Sequence, residues 1–290
     1  MIIAFQGEPG AYSEEAVQMV YPDADVRPCE TFADAFESVV ASTADRAVVP
    51  IENSLFGSVY INYDHLRRHP VSIIGEVQVR IRHQLMAPGD AELDAIRRVF
   101  SHPQALGQCR ASLNDLVPDA EPVAVTDTAG AARQVAESGD ATDAAIASRR
   151  AAERYGLRII GPDIEDHPEN FTRFLVLAPL TEDSVEGAAG GHVNTSDALQ
   201  ENETMEFKTS IVFAHRENVP GALFKSLAVF ALRDLDLYKI ESRPLVGAPG
   251  RYLFYLDVHG HAQDPAVARA LDNLREIATE LQVLGSYPVG

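Results

Sequence analysis

Four short polar clusters in the first part of the chain combine side chains that could bind or polarise a small molecule. The first is Gly7-Glu8-Pro9-Gly10-Ala11-Tyr12-Ser13, where two glycines let the backbone turn sharply and approach a ligand. It has neither the G-x-G-x-x-G spacing of a dinucleotide site nor the Gly-Lys-Ser/Thr of a phosphate loop, and it reads equally as a plain turn. The second is Pro50-Ile51-Glu52-Asn53-Ser54, a hydrogen-bonding wall at a strand end or a turn with an Asx cap. The third is Ser101-His102-Pro103-Gln104-Ala105-Leu106-Gly107-Gln108-Cys109. If a helix starts at Pro103, Gln104 and Gln108 share one face, and Ser101 lies near a helix N-terminus, which favours anions. The alternative is a capped helix with surface glutamines. His102 has no orienting carboxylate nearby and reads as structural. The fourth is Asn170-Phe171-Thr172-Arg173-Phe174. In a strand, Asn170 and Thr172 face one way and Phe171 and Arg173 the other, with Phe174 on the Thr172 side unless the segment bends. Arg173 could hold a carboxylate bidentately or form a strand-edge ion pair. No nucleophile elbow, metal-ligand set or acid dyad is found. Serine, threonine, asparagine, glutamine and arginine suit the positioning of a small, reactive, anionic substrate.

These clusters fall where strand ends meet helix starts, the place at which open α/β sheets bind ligands. Strands are read at residues 2–5, 47–49, 98–100, 123–125, 144–147, 157–160 and 171–177, with extended segments over 71–85. Helices are read from about Ser13, from Thr31 as N-cap, over 103–116, from Asp127 or Thr128 to Ala136, and over 149–155. In the second of these, Phe32, Ala35, Phe36, Val39 and Val40 repeat as a buried stripe. Residues 181–206 break the rhythm, with three glycines, seven acidic residues and no Lys or Arg; they read as an acidic, flexible linker. Beyond it, strand, helix, strand, strand, helix and strand follow in a ferredoxin-like order. Asn218 reads as the cap of its first helix, with Pro220 in the opening turn.

Taken in order, Pro50 to Ser54, Ser101 to Cys109 and Asn170 to Phe174 resemble the motifs of the prephenate dehydratase family. Two downstream stretches, Asn218-Val219-Pro220-Gly221-Ala222-Leu223 and Glu241-Ser242-Arg243-Pro244, are similar to the phenylalanine-binding motifs of that family's ACT regulatory domain. The resemblance implies an α/β catalytic domain over 1–180, with two lobes like a type II periplasmic binding protein and the site in the cleft. It implies the linker at 181–206 and a βαββαβ ACT domain at 207–290, the two parts separable near Leu180. It implies conversion of prephenate to phenylpyruvate, CO₂ and water, with arogenate as the alternative substrate or a non-catalytic aromatic-ligand sensor as the alternative role. No cofactor or metal is implied. Thr172 matches the family's essential threonine, read as a hydrogen-bond donor or proton relay to the departing oxygen. Asn53, Ser101, Gln108 and Glu52 are implied as catalytic, and Arg173, Ser54, Gln104 and Asn170 as substrate-binding. Asn218, Pro220, Gly221, Ala222, Leu223, Glu241, Ser242 and Arg243 are implied to bind the effector L-phenylalanine, in a homodimer or homotetramer. Asp127 stands where many relatives carry a small hydroxyl residue. A carboxylate there is tolerable beside a dianion only if it points into a helix cap. No fused chorismate mutase domain is expected.

Composition bounds the partners. The 290 residues carry 43 Asp and Glu against 24 Lys and Arg, a formal net charge of −19. This argues against nucleic acid or an anionic membrane as partner. No apolar run approaches the ~20 residues of a spanning helix, and the apolar start reads as a first strand rather than a signal peptide. Cys29 and Cys109 read as two reduced thiols near a core, which places the protein in the cytoplasm. Only three residues are lysine. An acidic, lysine-poor surface resembles that of proteins from halophilic organisms, whose self-repulsion is screened near molar salt. The melting temperature is therefore expected to rise from dilute buffer to molar KCl; a melting curve indifferent to salt removes that expectation.

Overall fold

Strand β1 (Ile2–Gln6) buries Ile3, Ala4 and Phe5 completely, each large side chain contributing about 1.5–3 kcal/mol. The rest of a sheet assembles around it. The computed structural model describes residues 1–180, 205–215, 219–245 and 247–290. The expected linker lies almost wholly outside the described residues, as does Asn218. Two compact units are formed, Met1–Asn62 with Val77–Phe174, and Tyr63–Glu76 with Leu175–Gly290.

In the first unit, β1 pairs in parallel with β2 (Asp25–Cys29) on one side and β3 (Arg46–Asn53) on the other. The sheet order is β2-β1-β3-β11-β5, with β5 at Val71–Arg80 and β11 at Phe171–Pro179. The short β4 (Gly57–Ser58) folds back on β3. Strands β5 and β11 continue from one unit into the other. Helices α1 (Tyr12–Val20) and α2 (Phe32–Val40) make the crossovers. A capping box fixes the start of α2: Thr31 Oγ1 accepts from Asp34 N at 3.1 Å, and Asp34 accepts from Thr31 N at 2.9 Å. Ala35, Phe36 and Val39 are buried as the stripe requires, but Val40 closes the helix 42% exposed. Helix α3 (Tyr60–Arg68), which periodicity did not reveal, follows β4.

A second sheet runs β10-β6-β9-β7-β8, with β6 at Gln84–Ala87, β7 at Arg98–Ser101, β8 at Glu121–Ala124, β9 at Asp143–Ala147 and β10 at Arg158–Gly161. β7, β8 and β9 are parallel, whereas β6 lies antiparallel to both its neighbours. The single helix expected over 103–116 is two, α4 (Pro103–Gln108) and α5 (Arg110–Leu116), because Cys109 leaves the helical region at φ −113°, ψ 16°. Asp166 then caps α5 through Ala111 N and Ser112 N. Helices α6 (Thr128–Ser138) and α7 (Arg149–Tyr155) each end on a glycine.

The second unit holds the ferredoxin-like order. Its elements are β12 (Phe207–Ala214), α8 (Ala222–Ala231), β13 (Leu237–Pro244), β14 (Tyr252–His259), α9 (Pro265–Ile277) and β15 (Glu280–Pro288). The sheet runs β13-β14-β12-β15 with every neighbour antiparallel. Ile211, Phe213, Leu256 and Val258 pack on one face against Phe230, Val267, Leu271 and Leu274 of the helices. The other face meets Tyr63–Glu76, residues far earlier in the chain. The Tyr63 and Tyr255 rings are 4.8 Å apart, and Glu76 pairs with Lys208 at 2.7 Å with both side chains buried. A Cβ at Gly285 would overlap the Ile73 carbonyl, so only glycine allows that approach. Among the described residues no helix is long and apolar enough to cross a membrane.

The turn from β1 into α1 is held by the second sheet's helices. The buried carboxylate of Glu14 accepts from Gly10 N at 2.5 Å and pairs with Arg150 at 2.8 Å. Ser148 donates to Gly10 O at 2.6 Å, and Tyr155 to Pro9 O at 2.8 Å. Gly10 sits at φ +94°, and a Cβ there would lie 2.9 Å from Ala151 Cα. Gly10→Ala is expected to lose at least about 1–3 kcal/mol, read as a lower urea midpoint with an unchanged slope.

Candidate active site

Strand β3 ends in Asn53, whose side chain is committed at both ends. Its Oδ1 accepts from Leu55 N and Phe56 N, both at 3.0 Å, which makes the Asx turn allowed by the sequence. Its Nδ2 shares two protons among three acceptors: Asn170 Oδ1 at 2.8 Å, Thr172 Oγ1 at 3.0 Å and Phe171 O at 3.2 Å. Ser54 closes the same corner, donating to Glu169 O at 2.9 Å and accepting from Phe171 N at 3.0 Å. The Ser54 hydroxyl is thus spent on backbone.

Strand β11 alternates as expected. Asn170, Thr172 and Phe174 are 0%, 9% and 2% exposed, whereas Phe171 is exposed and Arg173 half-buried. Thr172 Oγ1 accepts a hydrogen bond, and its own proton has no acceptor among the described residues. The Nδ2 of the fully buried Asn170 also lacks an acceptor among them. Alternation puts Arg173 on the face of β11 opposite Thr172, and Glu52 on the face of β3 opposite Asn53.

Two segments join the sheets, residues 81–83 between β5 and β6 and residues 162–170 between β10 and β11. They run side by side. Ile81 N donates to Asn170 O, and Ile164 N to His83 O, each at 2.8 Å. His83 N donates to Glu165 Oε2 at 2.9 Å. This brings a second polar group near Asn170. The His83 ring, 2% exposed, has Nε2 2.6 Å from Gln108 Oε1 and Nδ1 2.8 Å from the Tyr12 hydroxyl. Burial pushes the His83 pKa down, partly offset by Gln108 and by the Glu165 charge. Burial pushes the Tyr12 phenol well up, helped by surrounding negative charge. Both groups are therefore neutral near pH 7.

The third cluster divides. Gln108, half-buried at the end of α4, joins His83. Ser101 does not reach a ligand-facing surface; it is fully buried and donates to Ile146 O of β9 at 2.7 Å, so it fixes the strand end. His102 is the N-cap of α4, accepting from Gln104 N at 3.2 Å, and burial lowers its pKa. The Gln104 side chain is exposed. A cleft of about 570 Å³ is lined by Gln6, Glu8, Glu30, Asp127 and Arg133 among others; Asn53, Thr172, His83 and Gln108 do not line it. Asp127 points into the α6 cap, 2.6 Å from Gly130 N, and Glu8 pairs with Arg133 at 3.3 Å. Among the described residues no cluster of His, Cys, Asp and Glu could hold a metal ion.

In the ferredoxin-like unit, α8 starts at the carboxyl end of β12, and β13 runs parallel to β12 through its antiparallel pairing with β14. The α8 start and the β13 end therefore share one end of the sheet. Pro220 and Gly221 are exposed, with Ala222 and Leu223 half-buried behind them. At the β13 end, Ser242 is exposed, Glu241 half-buried, and Arg243 pairs with Asp64 of α3 at 2.9 Å. Tyr12 and His83 are the site-forming residues that sequence reasoning missed. Tyr12 lay inside a quoted cluster, while nothing in the sequence flags His83.

The family model for prephenate dehydratase matches residues 3–181. The chain is 48% identical over 296 residues to arogenate dehydratase/prephenate dehydratase 2, chloroplastic, of Arabidopsis thaliana, covering 99% of this chain and 72% of that one. Among solved structures it is similar to a prephenate dehydratase from Arthrobacter aurescens in complex with L-Phe. That match has a TM-score of 0.85 at 35% identity, over 99% of this chain and 90% of that chain. It is similar also to GqqA, described as a novel type of quorum quenching acylase, with a TM-score of 0.86 at 35% identity over 100% and 98%.

The lowered His83 pKa has a stability consequence. The folded state binds fewer protons at this ring than the unfolded chain does. The contribution is whole above the unfolded value of about 6.5 and is lost as pH falls through it. His83→Gln is expected to flatten the loss of stability between pH 7.5 and 5.5, measured by urea unfolding of both proteins.

Proposed function

We propose that this chain, which belongs to the prephenate dehydratase family, converts prephenate to phenylpyruvate in the route to phenylalanine, with Thr172 as the donor that helps the ring hydroxyl leave. The observation that carries the reading is the Asn53–Thr172 hydrogen bond, which occupies a lone pair of the hydroxyl and leaves its proton to donate. In the reaction the bond from the ring to its carboxylate breaks, and CO₂ departs. The electron pair moves through the ring and expels the hydroxyl at the opposite carbon. That oxygen takes one proton and leaves as water, and aromatisation makes the step downhill. Accepting from Asn53 strengthens Thr172 as a donor through polarisation along the chain of hydrogen bonds. A donor aimed at a departing oxygen stabilises charge that exists only in the transition state. Gln108 offers a neutral amide to the substrate, and Arg173 and Asn170 remain candidates for its carboxylates.

An acyl-transfer reading needs an activated nucleophile. Ser54 and Ser101 give their protons to backbone carbonyls, and burial raises the pKa of both cysteine thiols. In the Ser226–His215 pair at 2.9 Å the serine is fully buried, out of reach of a substrate. The dehydratase reading is the better supported.

Phenylalanine is proposed as the effector, bound at the ACT-like end of the sheet by the α8 start and the β13 end. The L-Phe complex of the Arthrobacter protein supports this. Helix α3 supplies a route to the site. Its first turn is tied to β3 by Asn62 Nδ2 donating to Pro50 O at 2.7 Å, and its later turns to the ferredoxin-like sheet by Asp64–Arg243 and Arg67–Glu280. Exposed Tyr238 and Ile240 on the edge strand β13, with Phe224 on α8 and Leu232 at its C-cap, support assembly into a dimer or tetramer.

The test is product formation from prephenate and from arogenate, with and without phenylalanine. Thr172→Ala is expected to lower kcat by on the order of 10²–10³-fold with KM little changed, and Thr172→Ser to keep most activity. An alanine variant with near-normal turnover overturns the role of Thr172. Faster turnover of arogenate moves the substrate assignment to that amino acid. Asp64→Asn is expected to weaken phenylalanine inhibition while sparing basal kcat.

A further inference from the structure

The reaction as described uses the amide of Gln108 but not the two groups behind it. A primary amide has nearly the same shape in either flip, yet one end donates and the other accepts. An unrestrained Gln108 would present its carbonyl to an anion as readily as its NH₂. The wrong flip puts lone pairs against a carboxylate.

We propose that His83 is a positioning residue that holds Gln108 with its NH₂ end towards the substrate, and that Tyr12 sets the imidazole tautomer that does so. The inference rests on the reading of Gln108 as a substrate-facing group. His83 is 2% exposed and sits between the Tyr12 hydroxyl at 2.8 Å and Gln108 Oε1 at 2.6 Å. A neutral imidazole has one N–H and one lone pair, so its two contacts must have opposite sense. The phenol is protonated and has one proton to give. Its two possible acceptors are His83 Nδ1 and Arg82 O, the latter at 2.9 Å. Gln108 Oε1 can only accept, so Nε2 carries the hydrogen and Nδ1 the lone pair, for which the Tyr12 hydroxyl is the one side-chain donor in reach among the described residues. Tyr12 therefore donates to Nδ1. Nε2 donates to Gln108 Oε1, and the NH₂ end of Gln108 is left for the ligand. A tyrosine at the start of α1 thus decides, through a ring 71 residues away, which end of an amide faces outward.

The backbone of His83 is fixed independently, by Glu165 at its N–H and Ile164 at its carbonyl. The side chain can therefore be changed with the main chain still held. His83→Leu keeps the volume and removes the donor, while His83→Gln keeps a donor near the Nε2 position. With prephenate as substrate, His83→Leu is expected to lower kcat/KM by on the order of 10–100-fold, and His83→Gln to recover most of it. The double variant His83→Leu/Gln108→Ala should be no worse than Gln108→Ala alone, since both remove the same contact. Additive losses, or equal damage from leucine and glutamine, overturn the proposal, because a purely structural histidine would behave that way. If His83→Leu does not fold, Tyr12→Phe gives the same test: a loss of kcat/KM that disappears in the Gln108→Ala background supports it, and wild-type kinetics overturn it. A neutral Gln108→Ala would instead overturn the reading of Gln108, and a wild-type protein that makes no phenylpyruvate would overturn the proposed reaction, so the three failures are distinct.

Discussion

A single carboxamide, that of Asn53, ties the end of β3 to the start of β11. The group is planar, so fixing Oδ1 on the two N–H groups of its own turn also fixes where Nδ2 points. Its donors then meet Asn170, Phe171 and Thr172, residues more than a hundred positions later. Aspartate could make the turn but not the donations. Leaving such buried acceptors unserved costs about 1–3 kcal/mol each. The same constraint that joins two strands thereby orients the threonine hydroxyl.

An acidic chain proposed to bind a dianion must keep its carboxylates occupied. Near the site they are. Asp127 and Asp166 cap helices, Glu14 holds Gly10 N and Arg150, and Glu165 takes the His83 amide. Apart from Arg173, the groups left for substrate are neutral dipoles, a hydroxyl and carboxamides, one of them oriented by the His83 imidazole. Attraction in such a site comes from oriented donors in a water-poor setting, where a hydrogen bond is electrostatically stronger, and it is less exposed to salt screening than a surface charge pair.

Local physics made much of this legible. The Thr31 cap, the Ala35–Phe36–Val39 stripe and the buried side of β11 follow from spacing alone. Asn53 was visible as an Asx turn but not as the partner of Thr172, because periodicity carries no information about contacts over 119 residues. The ordered motifs, not residue chemistry, singled out Thr172. Ser101 looked like a ligand group because it ends a strand, yet the neighbouring strand's carbonyl claims it. Helix α3 escaped notice since its apolar residues Tyr63 and Leu66 are few among polar ones. His83 gave no signal, being one ring in a connecting segment whose partners lie on two distant helices.

The packing of Tyr63–Glu76 against the ferredoxin-like sheet sets an order of events during synthesis. That segment leaves the ribosome long before β15, which ends at Pro288. At about 5–20 residues per second the wait is roughly 10–40 s. Throughout it, Tyr63, Leu66, Val71 and Ile73, all buried in the finished protein, have an incomplete surface to rest on. The second unit is therefore completed only when its last strand is made, and a cut near Leu180 would part Tyr63–Glu76 from the sheet it packs against.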